Sequence, residues 1–562
     1  MKRFFQKNWP WLLIIALSVF VVWPLFKPGY FSHHDNLQVI RIFEMRRCFT
    51  DMQIPCRWVP DMGLGYGFPL FNYYGVFPYY IGAIVSYILG FIGSAKFLFL
   101  IPMILGGVSM YILAKEVFSK EVGFVSGILY LFAPYMALDV YVRGDVTESF
   151  SIAIVPIVFY FSLKLIRKSS LTNFLGLAIS LGVFLTNHNI MTLVFMPVLF
   201  VWLVFWILHE RKTKIWLLVI SPLLGIGLAS FYIIPAYFEK ELVQIDNLKE
   251  SVYIPNFRAH FVTVSQLFTS RFWGYGASTW GNKDGISFQV GWPHWWLAVG
   301  AGFVSVLGLI FYKKSSKKTI VQFRLVILMF LVFLYSVFMT HNKSAFIWEK
   351  IEILQFFQFP WRFLSLSIFS VSLIGGFIIS FTKGYIRTIL IAAIVILAVS
   401  LNFQFFRPEK FFSAFNDRYM LTGPEWDYQK QGSIVDYLPK NAKEPKEPAP
   451  ETPLVLRGEA KISGFINKSD RWEFNASVTK DSVVEVPVFD FQNWKVKIGI
   501  KYIDHNSGSH GAITFDLPAG DYKVVGEFKN TPLRNLANGI TVISLLSLVC
   551  FSKYAKSRKV FV

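Results

Sequence analysis

Long apolar runs separated by short polar turns fill the first 402 positions, and a different pattern follows them. Runs near 9–27, 96–114, 122–138, 149–163, 172–187 and 191–208 read as membrane-crossing helices, as do 215–238, 293–312, 323–340, 361–381, 386–402 and 537–552. A further run at 78–93 is short for a span, carries Tyr79, Tyr80 and Tyr87, and follows a Pro/Gly-rich loop. That combination predicts an interfacial or re-entrant helix, leaving twelve spans, eleven of them in a polytopic α-helical membrane domain over 1–402 and the last at 537–552. Positions 403–453 read as an irregular connector whose end, PKNAKEPKEPAPETP, is an extended linker. From 454 to 535 the period changes to two, in VVEVPVFDF, WKVKIGIKY, AITFDLPAG and YKVVGEFK, which predicts a small β-sandwich-like domain. The last span and a basic tail occupy 536–562.

Composition agrees with the pattern: 54% of residues are hydrophobic and only 16% charged. The net charge of +20 could suggest nucleic acid, but no basic segment shows RNA-type aromatic interleaving. With twelve spans the basic turns Lys115 and Lys120, Lys164, Arg167 and Lys168, Lys317 and Lys318, and Lys383 and Arg387 all fall on one side. The positive-inside rule makes that side cytoplasmic, together with both termini. Lys2, Arg3 and Lys7 precede the first run and no small-residue cleavage site follows it, so it reads as a retained helix in the cell membrane. The loops 28–95 and 239–292 and the β domain are then extracytoplasmic. Cys48 and Cys56 share the first of these loops, where a disulfide could persist; a bridge and two reduced thiols are both open readings.

Ionisable residues gather on the same outer face. Asp35, flanked by His33, His34 and Asn36, is either a helix cap or a catalytic or metal-binding carboxylate. Arg143, Asp145 and Glu148 crowd the turn after the 122–138 run, and charges at a membrane edge are functional by default. His188, between Asn187 and Asn189, reads as an interface histidine, a base or a ligand. Arg362 either snorkels to headgroups or clamps a phosphate. Asn72, Tyr73 and Tyr74, with Trp273, Tyr275 and Trp280, would suit stacking on a sugar or a membrane-interface belt.

The strings HHDNLQVIRIFEMRR, PDMGLGYGFPLFNYYGVFPYYIG, LYLFAPYMALDVYVRGDVTES, TNHNI, WGYGASTWGNKDGISFQVG and QFPWRF carry a resemblance that covers most of the membrane region. The chain resembles GT-C class glycosyltransferases, and more closely the membrane family labelled "6-pyruvoyl-tetrahydropterin synthase related" with its YfhO-like relatives. The resemblance implies an enzyme taking sugar from a polyprenyl-phosphate donor to a glycan, lipid or protein acceptor, with inversion. It matches Asp35 to the first-loop catalytic aspartate and Asp145 or Glu148 to the second acidic site. The family's second acidic residue beside the first is absent, because Asn36 follows Asp35. Positive charge for the leaving phosphate would come from Arg143, Arg362, or a magnesium or manganese ion held by Asp35 and Glu148. His33, His34 and His188 are supporting residues on this reading. No Walker A or Rossmann fingerprint is present, in keeping with a lipid-linked donor. Rival readings are a flippase of lipid-linked sugars and a non-catalytic envelope-assembly protein. A flippase should carry its charges deep in the helices.

Overall fold

The computed structural model of the chain describes residues 2–210, 214–249, 256–279, 284–311, 316–432 and 434–557; Trp280 lies outside them. Among the described residues eleven helices are long and apolar enough to cross a membrane, from Asn8–Phe26 to Pro532–Lys553. The apolar helix Leu171–Leu185 is shorter and brings the set to the twelve that the runs predict. The chain is a multi-pass helical membrane protein with a C-terminal antiparallel sheet.

The runs at 78–93 and 96–114 fall in one helix that is broken within the first of them. Helix Phe77–Val117 breaks at Gly90, whose φ of 70° and ψ of −177° suit only a residue without a side chain. Beyond the break the helix needs acceptors for its first amides. Asp417, from the connector, provides them: its carboxylate accepts from Phe91 N at 2.8 Å and Ile92 N at 2.9 Å.

The C-terminal domain differs from the expected sandwich in being one curled sheet. Its spine is the 19-residue strand Arg471–Phe489. Along one edge the spine pairs with Leu454–Asn467; along the other it pairs first with Gly520–Phe528 and then with Ala512–Leu517. Bulges in the Leu454–Asn467 pairing add twist to the ribbon. The alternation seen in sequence is kept, since Trp472, Phe474, Ala476 and Val478 are buried in turn. Alternation reports a buried face; it does not say which strand lies alongside.

This sheet is seated on the 28–77 loop. Trp58, fully buried, meets Trp494 edge-on at 5.4 Å between ring centroids and Phe528 at 5.4 Å. Gln53 donates to Ser469 O at 2.6 Å, and Phe489 N donates to Tyr66 O at 3.0 Å. A Cys48–Cys56 disulfide closes the loop beneath them. Below the sheet, Arg534 at the head of the last helix donates Nε to Glu239 Oε2 at 2.7 Å, locking that helix to the end of Ile215–Phe238. Truncating Trp58 to alanine should cost about 3–5 kcal/mol of docking. Trypsin should then cut the linker at Lys440 and Lys443 faster than in the wild type, and equal rates would mean that the seat lies elsewhere.

The connector is also more ordered than its sequence suggests. Phe411–Phe412 pairs with Tyr30–Phe31, Gln429 Oε1 accepts from Ile40 N at 3.2 Å, and Leu438 O accepts from Gln244 N at 3.0 Å. It thus crosses the first loop, passes residues 242–244 and returns to the first loop, where Ala449 N donates to Leu64 O at 2.8 Å.

Candidate active site

The acidic turn is built by one residue with a positive φ and one cap. Helical backbone runs through Asp139–Arg143, and Gly144 at φ 69° then reverses the chain. Asp145 caps helix Val146–Arg167, its Oδ1 accepting from Glu148 N at 2.9 Å and from Thr147 Oγ1 at 2.9 Å. Capping forces Asp145 and Glu148 onto one turn, and Arg143 fills the space between them. Its Nη1 pairs with Asp139 and, at 2.7 Å, with Glu148 Oε2; its Nη2 reaches Asp145 Oδ2 at 3.1 Å. Glu148, fully buried, also accepts from Tyr135 Oη at 2.5 Å, and Arg362 Nε lies 3.3 Å from its Oε2.

His188 caps helix Asn189–His209 by accepting from Ile190 N at its Nδ1. That bond places the ring proton on Nε2, which lies 3.7 Å from Asp145 Oδ2. Burial would raise Asp145. The His188 contact and the charges of Arg143 and Arg362 outweigh it and hold this carboxyl well below the usual range.

The first loop is registered to this turn by two main-chain bonds and one side chain: His34 N donates to Val142 O and Asp35 N to Arg143 O, each at 2.9 Å, and Gln38 Nε2 donates to Gly144 O at 2.8 Å. Asp35 does not cap the following helix, Gln38–Thr50, which begins without a side-chain cap. Its Oδ2 instead accepts from Arg41 Nη1 at 2.6 Å, Gln38 Nε2 at 3.1 Å and Tyr74 Oη at 3.3 Å. Its Oδ1 has no hydrogen bond to the described residues.

A cavity of about 760 Å³ joins the two clusters. Among the residues singled out in the sequence, His34, Asp35, Tyr73 and Tyr74 line one part of it, and Arg143, Asp145, His188 and Arg362 line another. Leu185, Ile190, Leu193, Ile233 and Tyr237 carry the wall onto the ends of three membrane helices. Glu148 stands behind this wall, holding the two arginines.

Other candidates lie off the cavity, each for a packing reason. Asn72 is buried and accepts from Arg57 Nη1 at 2.8 Å. Trp273 stacks on Phe405 at 4.7 Å, and the Tyr275 hydroxyl donates to Arg407 O. His34 Nε2 meets Tyr275 O at 2.9 Å, so Tyr275 serves the site through its backbone. His33 points into the rings of Tyr30, Phe31 and Phe99.

The cation ligands expected from sequence, Asp35 and Glu148, belong to separate clusters. The group close enough to share an ion is Asp145, Glu148 and His188, whose ligand atoms lie within 4.8 Å of one another. These residues do not fit a cation as arranged: arginine already faces both carboxylates, and the His188 nitrogen turned toward them carries its proton.

Burial pushes the His33 imidazole from 6.5 down to about 4. Between those values the unfolded chain takes up a proton that the folded chain refuses, so stability falls as pH falls through the window, by on the order of 3 kcal/mol. The thermal midpoint of His33→Gln should therefore decline less than that of the wild type between pH 6.5 and 4. Parallel declines would contradict this.

Sequence reading missed Arg41, Asp436 and Tyr437, all of which line the cavity. Arg41 left a faint signal, a cation inside the apolar stretch Val39-Ile-Arg41-Ile-Phe43. The other two left none, because their place depends on the course of the connector.

The chain belongs to the 6-pyruvoyl-tetrahydropterin synthase related family of membrane proteins, whose family model matches residues 71–407. The match takes in the acidic turn, His188 and Arg362, and stops before the sheet domain. An uncharacterized protein of Lactococcus lactis subsp. cremoris is 20% identical over 255 residues, 43% of this chain and 40% of that relative. The match thus spans less than half of the curated relative's length. Among solved structures, the chain is similar to the arabinofuranosyltransferase AftD from Mycobacteria (TM-score 0.43, 11% identity, 73% of this chain and 28% of that one). It is also similar to the Archaeoglobus fulgidus oligosaccharyltransferase (0.44, 11%, 79% and 61%). A third is ArnT from Cupriavidus metallidurans bound to undecaprenyl phosphate (0.36, 16%, 68% and 63%).

Proposed function

We propose that the chain is an integral-membrane glycosyltransferase that moves a sugar from a polyprenyl-phosphate donor to an extracytoplasmic glycan, lipid or protein. One observation carries the reading: a single cavity holds a carboxylate with an open oxygen and buried arginines, beside an apolar wall formed by membrane-helix ends. An amphiphile with an anionic head and a long apolar tail matches both parts. Clustering of the charges at helix ends, instead of mid-span, favours an enzyme over a flippase.

In the proposed reaction the acceptor hydroxyl attacks the anomeric carbon and passes its proton to Asp35 Oδ1. The bond from that carbon to the phosphate oxygen breaks, its electron pair leaves with the phosphate, and the configuration inverts. Arg41, Gln38 and Tyr74 hold Oδ2, which aims Oδ1. Arg362, which lines the cavity and is held from behind by Glu148 at its Nε, meets the departing charge first. Arg143, spread over three carboxylates, chiefly fixes the turn.

Purified protein should photo-crosslink to a diazirine-bearing undecaprenyl phosphate at Leu193, Ile233 and Tyr237. Labelling spread evenly over the helix surfaces would remove the donor assignment. The proposed orientation, both termini cytoplasmic, is tested in a Cys550→Ser background: a membrane-impermeant thiol reagent should label Ser507→Cys and not Lys115→Cys. The opposite pattern would turn the site to the cytoplasm.

A further inference from the structure

We infer that Asp436, with Tyr437, forms the acceptor end of the cavity, its carboxylate accepting hydrogen bonds from the hydroxyl groups of a saccharide. The word "acceptor" rests on the glycosyltransferase reading; saccharide binding at this residue does not.

Asp35 and Asp145, the other carboxylates of the wall, are taken. Asp35 is paired with Arg41, and Asp145 faces Arg143, His188 and Arg362. Asp436 lines the same space, yet no described residue hydrogen-bonds or ion-pairs with it. A half-buried carboxylate left so on a cavity wall is costly unless a ligand provides the donors. Burial lifts it to about 6, with the Arg41 charge pulling the other way, so it is ionised and strongly accepting at neutral pH. Nor is it loosely held. Lys440 N donates to Leu242 O at 2.8 Å, and Gln244 Nε2 donates to Ala442 O at 2.7 Å, fastening the chain just beyond it.

The surroundings narrow the ligand. Tyr437 stacks on Tyr73 at 6.1 Å with an interplanar angle of 4° and meets Tyr74 edge-on, so three rings and a bare carboxylate share one wall. Flat apolar faces beside a hydrogen-bond acceptor suit a sugar ring, which offers C–H faces and O–H donors. An ammonium ligand would enter a space that already holds Arg41, Arg143, Lys240 and Arg362, whereas neutral hydroxyls meet no such repulsion. The connector that leads to the sheet domain thereby contributes directly to substrate choice.

The test uses the full-length protein in lipid nanodiscs, titrated with methyl glycosides and disaccharides of glucose, galactose, mannose and N-acetylglucosamine and read by tryptophan fluorescence. At least one saccharide should bind the wild type, and Asp436→Asn should weaken that binding about tenfold or more. Undecaprenyl phosphate affinity should stay within about twofold, which also certifies the fold. Unchanged saccharide affinity in the variant, or no saccharide bound by the wild type, would overturn the inference. If undecaprenyl phosphate fails to bind the wild type, the donor reading falls, while the saccharide comparison still decides the role of Asp436.

Discussion

Replacing Arg143 with methionine should yield a protein that does not survive extraction into mild detergent. Arg143 is nearly fully buried and is the shared counter-charge of Asp139, Asp145 and Glu148. Its loss would leave three carboxylates within one turn with only Arg362 and His188 for compensation. Breaking a buried ion pair from one side typically costs about 3–5 kcal/mol, and here one cation serves three partners. The thermal midpoint should fall steeply, and adding Asp139→Asn and Glu148→Gln should restore part of it by removing the orphaned charges. A stable Arg143→Met protein would mean that the turn is solvated and that the cluster is not what shapes it.

The second large effect is on turnover. Asp35→Asn should lower sugar transfer by roughly 10² to 10⁴, the usual worth of a positioned base. The amide keeps an oxygen for Gln38 and Tyr74 but cannot take a proton, and it no longer offsets the buried Arg41 charge. Undecaprenyl phosphate binding separates the two consequences: retained binding with lost transfer assigns the loss to chemistry, and loss of both assigns it to a rearranged Arg41. Transfer at the wild-type rate would remove Asp35 from the reaction.

The membrane half of the fold was legible because span length and apolarity are local properties. Nothing in the sequence marked Gly90 and Asp417 as the pair that breaks helix Phe77–Val117. The acidic turn was legible for the same reason, since Arg143, Asp145 and Glu148 are neighbours in sequence. Charge parity put Asp35 on the same face as that turn, but the main-chain bonds that bring residues 34–35 against 142–143 join stretches far apart and have no sequence signature. Asp436 shows the limit most clearly. It sits in a segment that reads as irregular linker, and only the pairing of that segment with residues 30–31, 40 and 244 carries it into the cavity. Asn72, Trp273 and Tyr275 err the other way, because side chains suited to sugar stacking are equally suited to packing.

The most direct measurement gives purified protein in nanodiscs a panel of polyprenyl-phosphate sugars, with membrane extract as acceptor, and follows both the labelled sugar and free polyprenyl phosphate. The wild type should transfer sugar and release polyprenyl phosphate in equal amounts, with Asp35→Asn and Glu148→Gln both slower. Donor that stays intact, or variants that turn over as fast as the wild type, would contradict a glycosyltransferase centred on this cavity.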